Sequence, residues 1–167
     1  MKNLKLSFVL LITATCFAVG CAKGTAGPAG PAGPAGPDSV MHSQWIVLSM
    51  AYNTTDSAFE QNITAAAITQ AILDSGLILT YLEFINNGVT NVAPASVYIS
   101  ETFTPGNILL SSQVDYSNSG INYRYVIVPG SITLNKQGRQ YSKSQLKTMS
   151  YQKVIQLLGI PADLDGN

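Results

Sequence analysis

The sequence predicts a mainly β, α+β domain: an antiparallel β-sandwich or sheet of about five strands, with one inserted helix and a short C-terminal helix. Three observations carry this. Leu77–Ile85 (LILTYLEFI) is apolar on both faces over a strand's length, which suits a covered central strand. The β-rich runs are divided by Asn86-Asn87-Gly88, Pro105-Gly106 and Pro129-Gly130, the punctuation of tight turns. Only two segments carry helix start and stop signals, Thr64 to Gly76 and Ser150 to Gly159.

Taken in order, Val40–Met50 reads as the first strand. Val40, His42, Gln44, Ile46 and Leu48 share one face, and Met41, Ser43, Trp45 and Val47 the other. AYNTTDSAFEQN is polar and turn-rich, so it reads as a loop. Thr64 can cap a helix over AAAITQAILDS, with Ile68 and Ile72 four apart and Gly76 as the stop. After the central strand, Ala95–Thr102 and Asn107–Tyr116 are further strands, and Ile121–Val128 is the last. A polar, basic loop follows. Ser150 can cap Tyr151–Leu158, Met149 can staple to Val154, and Ile155 and Leu158 face the sheet. If Ser119-Gly120 closes a hairpin, Tyr116 opposes Tyr123 and Asp115 opposes Arg124.

The N-terminal 38 residues have a different character. Met1–Gly20 has Lys2 and Lys5 followed by an uncharged apolar run of about 15 residues, which suits a signal h-region and is short for a membrane span. A transmembrane anchor is the alternative. Cys21 follows the small residues Ala18, Val19 and Gly20. Gly24, Gly27, Gly30, Gly33 and Gly36 then recur every third residue, with Pro28, Pro31, Pro34 and Pro37 behind the last four. Such a run cannot pack a core; as a polyproline-II rod of about 16 residues it reaches roughly 50 Å. The expected division is leader 1–20, lipidated Cys21 and spacer 21–38, and one β-rich domain 39–167. Five triplets are few for a collagen triple helix, so a monomer is expected, with a trimer through the repeat as the alternative.

The leader and Cys21 resemble the lipobox of bacterial lipoproteins, although Ala18 stands where that group usually has Leu. Cys21, the short GPAGPAG run, the SQWIVLSM opening, ITQAILDSGLILTYLEF and INYRYVIVPGS together resemble the collagen-like lipoproteins of the Bacteroidota. The resemblance implies a diacylglycerol on Cys21 and anchoring in the outer membrane. Ala22, Lys23 and Gly24 lack the acidic residues that direct surface export in that phylum, which favours the periplasmic face. It also makes Ser39 (Asp38-Ser39-Val40) and Ser57 (Asp56-Ser57-Ala58) candidate O-glycosylation sites. It implies architecture and location rather than an activity.

Composition narrows the function. Losing Lys2 and Lys5 with the leader leaves seven basic against nine acidic residues, a balance unsuited to nucleic acid. No Lys or Arg lies between Lys23 and Arg124, whereas Arg124, Lys136, Arg139, Lys143, Lys147 and Lys153 follow without an acid among them. The two blocks are expected to neutralise each other in the fold. Cys16 lies in the leader and Cys21 is the lipidation site, so the domain has no thiol or disulfide.

No residue set for chemistry stands out. His42 is the only histidine, without a nearby Cys or Asp, and reads as structural. No serine sits in a Gly-x-Ser-x-Gly elbow. Asp163-Leu164-Asp165 resembles the start of a calcium loop but lacks its later ligands. Neither metal nor cofactor is expected. The leading expectation is a non-enzymatic lipoprotein serving envelope structure or binding, with a glycan or an envelope protein as partner. A carbohydrate-binding or adhesion module is second, with Tyr123, Arg124 and Tyr125 as candidate ligand-facing residues. A hydrolase is third.

Overall fold

A computed structural model of the protein describes residues 39–86, 88–130, 134–136 and 139–161. Cys16, Cys21, the leader, the Gly-Pro-Ala repeat and the Asp163-Leu164-Asp165 run lie outside these residues. The described chain is mainly β, as expected: two antiparallel sheets, a further hairpin and three helices.

The elements are β1 (Met41–His42), β2 (Ile46–Val47), β3 (Ala51–Asn53), β4 (Ala58–Ala65), α1 (Gln70–Ser75), β5 (Leu77–Asn86) and β6 (Val89–Pro94). They continue with β7 (Ser100–Thr104), β8 (Gly106–Ser112), β9 (Asn122–Val128), β10 (Leu134–Lys136), β11 (Arg139–Tyr141), α2 (Lys143–Thr148) and α3 (Tyr151–Leu158). One sheet runs β1-β9-β5-β6, with β2 also on β9; the other runs β3-β4-β8-β7.

The central position of β5 follows from its sequence. Leu77, Leu79 and Tyr81 are buried on one face in the core under the C-terminal helices, while Leu82 is buried and Ile78 half-buried against the inter-sheet core on the other. Strand β9 alternates in the same way: Tyr123 and Ile127 enter the inter-sheet core, and Val126 and Val128 the helical one. The described domain is therefore layered, with the four-stranded sheet, the five-stranded sheet and the helices α2 and α3 in that order, while Ile72 of α1 packs in the inter-sheet core.

Turn chemistry behaves as read. Asn86 pairs with Val89 across a two-residue turn in which Gly88 has φ 75°. Thr104 pairs with Asn107 around Pro105-Gly106, where Gly106 has φ 81°. The C-terminal helix ends at Gly159 in the left-handed region, with the Ile160 N–H bonded to the Ile155 carbonyl at 2.9 Å. Met149 and Val154 both pack in the helical core.

Several expectations need correction. The AYNTTDSAFEQN segment is not a loop but the β3–β4 hairpin. Within the segment Phe59 packs on the inter-sheet core, and β4 carries that face on to Ile63 and Ala65 beyond it; Glu60, Gln61 and Asn62 between them obscure the alternation, while Asn62 and Thr64 face solvent. Thr64 is therefore within a strand, and Thr69 caps α1. Ala95–Val97 forms a 3₁₀ turn, and the strand expected there spans Ser100–Thr104. The basic loop contains the β10–β11 hairpin and α2, which starts with a capping box between Ser142 and Gln145. Ser150 flanks α3 without a side-chain capping bond.

The first strand is also broken. Met41 and His42 pair with Ile127 and Val126, whereas Ile46 and Val47 pair with Tyr123 and Asn122. Three residues, Ser43 to Trp45, thus oppose two, Arg124 and Tyr125, which makes a bulge. Ser43 fills it: its N–H donates to the Tyr125 carbonyl at 3.0 Å, and its Oγ accepts the Tyr125 N–H at 3.1 Å.

Candidate functional site

The bulge turns the Ser43 carbonyl towards Arg124, whose side chain lies on the helical face of β9, opposite Tyr81. Arg124 is fully buried. Its Nε donates to the Ser43 carbonyl at 3.0 Å, its Nη1 donates to the Tyr151 hydroxyl at 2.7 Å, and its Nη2 lies 2.8 Å from His42 Nδ1. A guanidinium only donates, so His42 Nδ1 accepts and the ring proton is assigned to Nε2. The 3.2 Å approach of Nδ1 to the Ser43 carbonyl is then a contact between two acceptors. The guanidinium also sits 5.6 Å from the Trp45 ring centre. Tyr151 packs on Trp45 at 5.6 Å and edge-on to Tyr81 at 4.9 Å. Burial first, then the Tyr151 hydroxyl, push ionisation of Tyr81 upwards.

This corrects the ligand-facing reading of β9. Tyr123 and Arg124 are both completely shielded from solvent, and Tyr125 is half-buried against the inter-sheet core. Tyr123 and Tyr125 do share a face, but that face looks inward. The Asp115–Arg124 pair does not form either. β8 leaves its sheet at Ser112, and the following loop crosses to the other layer, where Arg124 faces Tyr81. Asp115 instead accepts the Ser117 N–H at 2.8 Å. His42, read from the sequence as structural, is here the acceptor for Arg124 Nη2. Ser39 and Ser57 are exposed, Ser57 in the β3–β4 turn with φ 53°.

A solvent-facing site lies elsewhere, where the two sheets separate. β9 accompanies β5 from Leu77, but β6 pairs with it only from Tyr81, which opposes Pro94. Pro94 cannot donate to a ladder, and the chain leaves there for the 3₁₀ turn. Beside Leu77–Thr80 no strand among the described residues pairs with β5 on that side. Glu101, on the edge strand β7, points inward in register with the buried Leu110 and reaches across this gap. Its Oε1 accepts the Tyr123 hydroxyl at 2.8 Å and its Oε2 accepts the Thr80 hydroxyl at 2.9 Å. Burial raises the Glu101 pKa, outweighing the two hydrogen bonds that lower it. Burial, followed by the Glu101 charge, pushes Tyr123 ionisation far up.

Two cavities meet at Glu101, Ser96 and Phe103. One, of 540 Å³, extends to Ser100 and Tyr98; the other, of 260 Å³, extends past Thr80 and Pro94 to Lys147 on α2. Tyr98 also borders a third, apolar cavity of 230 Å³ with Phe84 and Tyr116, and meets Phe84 edge-on at 6.1 Å. The arrangement offers an inward carboxylate, the aliphatic hydroxyls of Thr80, Ser96 and Ser100, aromatic rings and one cation. Among the described residues, no group of three or more His, Cys, Asp or Glu could hold a metal, and no helix is long and apolar enough to cross a membrane.

The sequence reading missed this cleft. One signal was present: in SETFT, alternation puts Glu101 and Phe103 on one face, a carboxylate on an otherwise apolar side. Bringing Lys147 to it from the C-terminal helices leaves no local trace. No protein-family model, curated protein or solved structure matches the chain.

Proposed function

We propose that the chain is a non-enzymatic, membrane-anchored lipoprotein. In this reading a lipid on Cys21 holds it at the periplasmic face of the outer membrane, the Gly-Pro-Ala run is a monomeric spacer, and the β-rich domain serves envelope structure or binding. The observation that carries it is Cys21 directly after Ala18-Val19-Gly20, with only Ala22 and Lys23 between it and the glycine repeat. Two or three acyl chains anchor stably where one alone is marginal. The test is the mass and N-terminal residue of the protein purified from membranes. A diacylglyceryl Cys21 as first residue is expected, with Cys21→Ala blocking that processing. A wild-type chain that keeps its leader or carries an unmodified Cys21 refutes the reading.

A second reading, a carbohydrate-binding or adhesion module, is favoured by the cleft. Tyr98 leaves 46% of its surface exposed beside an inward carboxylate and the hydroxyls of Ser96 and Ser100. An aromatic face with nearby acceptors and donors matches a sugar ring's apolar face and hydroxyl rim.

A further inference from the structure

The cleft carries more than an aromatic face, because its two charges are differently placed. Glu101 is drawn inward and held by Tyr123 and Thr80, which use one lone pair on each of its oxygens. A carboxylate has about four such acceptor positions, so two remain for a ligand's hydroxyls. Lys147, at the other end of the 260 Å³ cavity, is exposed and has no hydrogen-bond or ion-pair partner among the described residues. Its neighbour on the same helix differs: Lys143 donates to the Ser75 carbonyl and is committed to the fold. The larger of the adjoining cavities, at 540 Å³, falls within the size range of about 300–1,000 Å³ typical of small-molecule sites, and the 260 Å³ one extends it towards Lys147.

Resting on the carbohydrate-binding reading, we propose that this cleft takes a carboxylate-bearing saccharide of the uronic-acid type. Lys147 receives the sugar carboxylate, Glu101 accepts ring hydroxyls, and Tyr98 provides the stacking face. A neutral sugar would leave Lys147 unused. A phosphate would bring two negative charges beside Glu101 where a uronate brings one.

The test is an array of uronate-containing oligosaccharides and their carboxyl-reduced, neutral counterparts, probed with the full chain in detergent. Uronates should bind, and the reduced forms should bind about tenfold more weakly, the loss expected for one charge-assisted hydrogen bond. Lys147→Gln, at an exposed position, should erase that preference. Tyr98→Ala should weaken both forms together. Equal binding of reduced and native forms, or an unchanged preference in Lys147→Gln, overturns the uronate assignment and leaves the saccharide reading standing. Binding to no saccharide overturns both. Thermal stabilisation by free amino acids without any response to uronates overturns the proposal in favour of a zwitterionic ligand.

Discussion

Replacing Tyr151 with Phe removes one oxygen and little else. The ring stays packed on Trp45 and Tyr81, so the change opens no side-chain-sized void. What is lost is the acceptor 2.7 Å from Arg124 Nη1, in a place where both residues are buried. Hydrogen bonds to charged groups contribute about 1.5–3 kcal/mol, and a buried donor deprived of its partner sits in that range. We therefore expect a loss of about 2 kcal/mol. For a domain of this length that corresponds to a fall of roughly 6–10 °C in Tm. Trp45 is the only tryptophan and lies 5.6 Å from the Tyr151 ring, so its fluorescence reports unfolding from within the cluster. Urea titrations of wild type and variant should give equal slopes and separated midpoints. A loss below about 0.5 kcal/mol would refute the reasoning, since the hydroxyl would then be one replaceable acceptor among several.

Two further outcomes test other parts of the structure. Glu101 has a folded-state pKa above its ordinary value of 4.5, so the folded state holds the proton more tightly than the unfolded chain. Stability is then greatest below that value and falls as pH climbs through the folded pKa. Glu101→Gln removes this dependence, so its stability relative to wild type should improve as pH rises above 4.5; an unchanged or opposite difference contradicts the burial argument. Gly130 follows β9 so closely against α1 that an added Cβ would lie 2.5 Å from Ser75 Oγ and 2.6 Å from its carbonyl oxygen. Gly130→Ala should cost about 1–3 kcal/mol by overpacking, measured by the same titration, whereas a residue needed only to end a strand would tolerate it.

Legibility in the sequence followed the size of the inward residues. LILTYLEFI announced a central strand because large apolar groups occupy both faces, and Asn87-Gly88 and Pro105-Gly106 announced turns because few residues other than glycine take positive φ. The β3–β4 hairpin was hidden because three polar residues, Glu60, Gln61 and Asn62, separate Phe59 from Ile63 and Ala65 on the core-facing side. Arg124 was misread as a surface cation, yet its spacing gave it away: it shares a face with Val126 and Val128, so a period of two already placed it among covered residues. What the spacing could not show was its set of partners. His42 and Ser43 lie 82 and 81 residues upstream of Arg124, and Tyr151 lies 27 downstream. The cleft follows the same logic, since Glu101 meets Thr80 and Tyr123 only after two sheets have been stacked.

The pairing of β1 and β2 with β9 also sets an order on assembly. Met41 finds Ile127 only when the whole intervening chain is present, whereas β5 and β6 close across two residues. By polymer loop statistics, joining the distant ends costs about 3 kcal/mol more entropy than closing the short turn. The β3–β4, β5–β6 and β7–β8 hairpins have no such wait. The segment Trp45-Ile46-Val47-Leu48, an apolar stretch near the start of the domain, therefore emerges from the ribosome well before its partner strand and is paired late. During that interval it is an open edge of the kind that templates aggregation. Its brevity, two paired residues on either side of a polar bulge, limits how much of a stranger's strand it can capture.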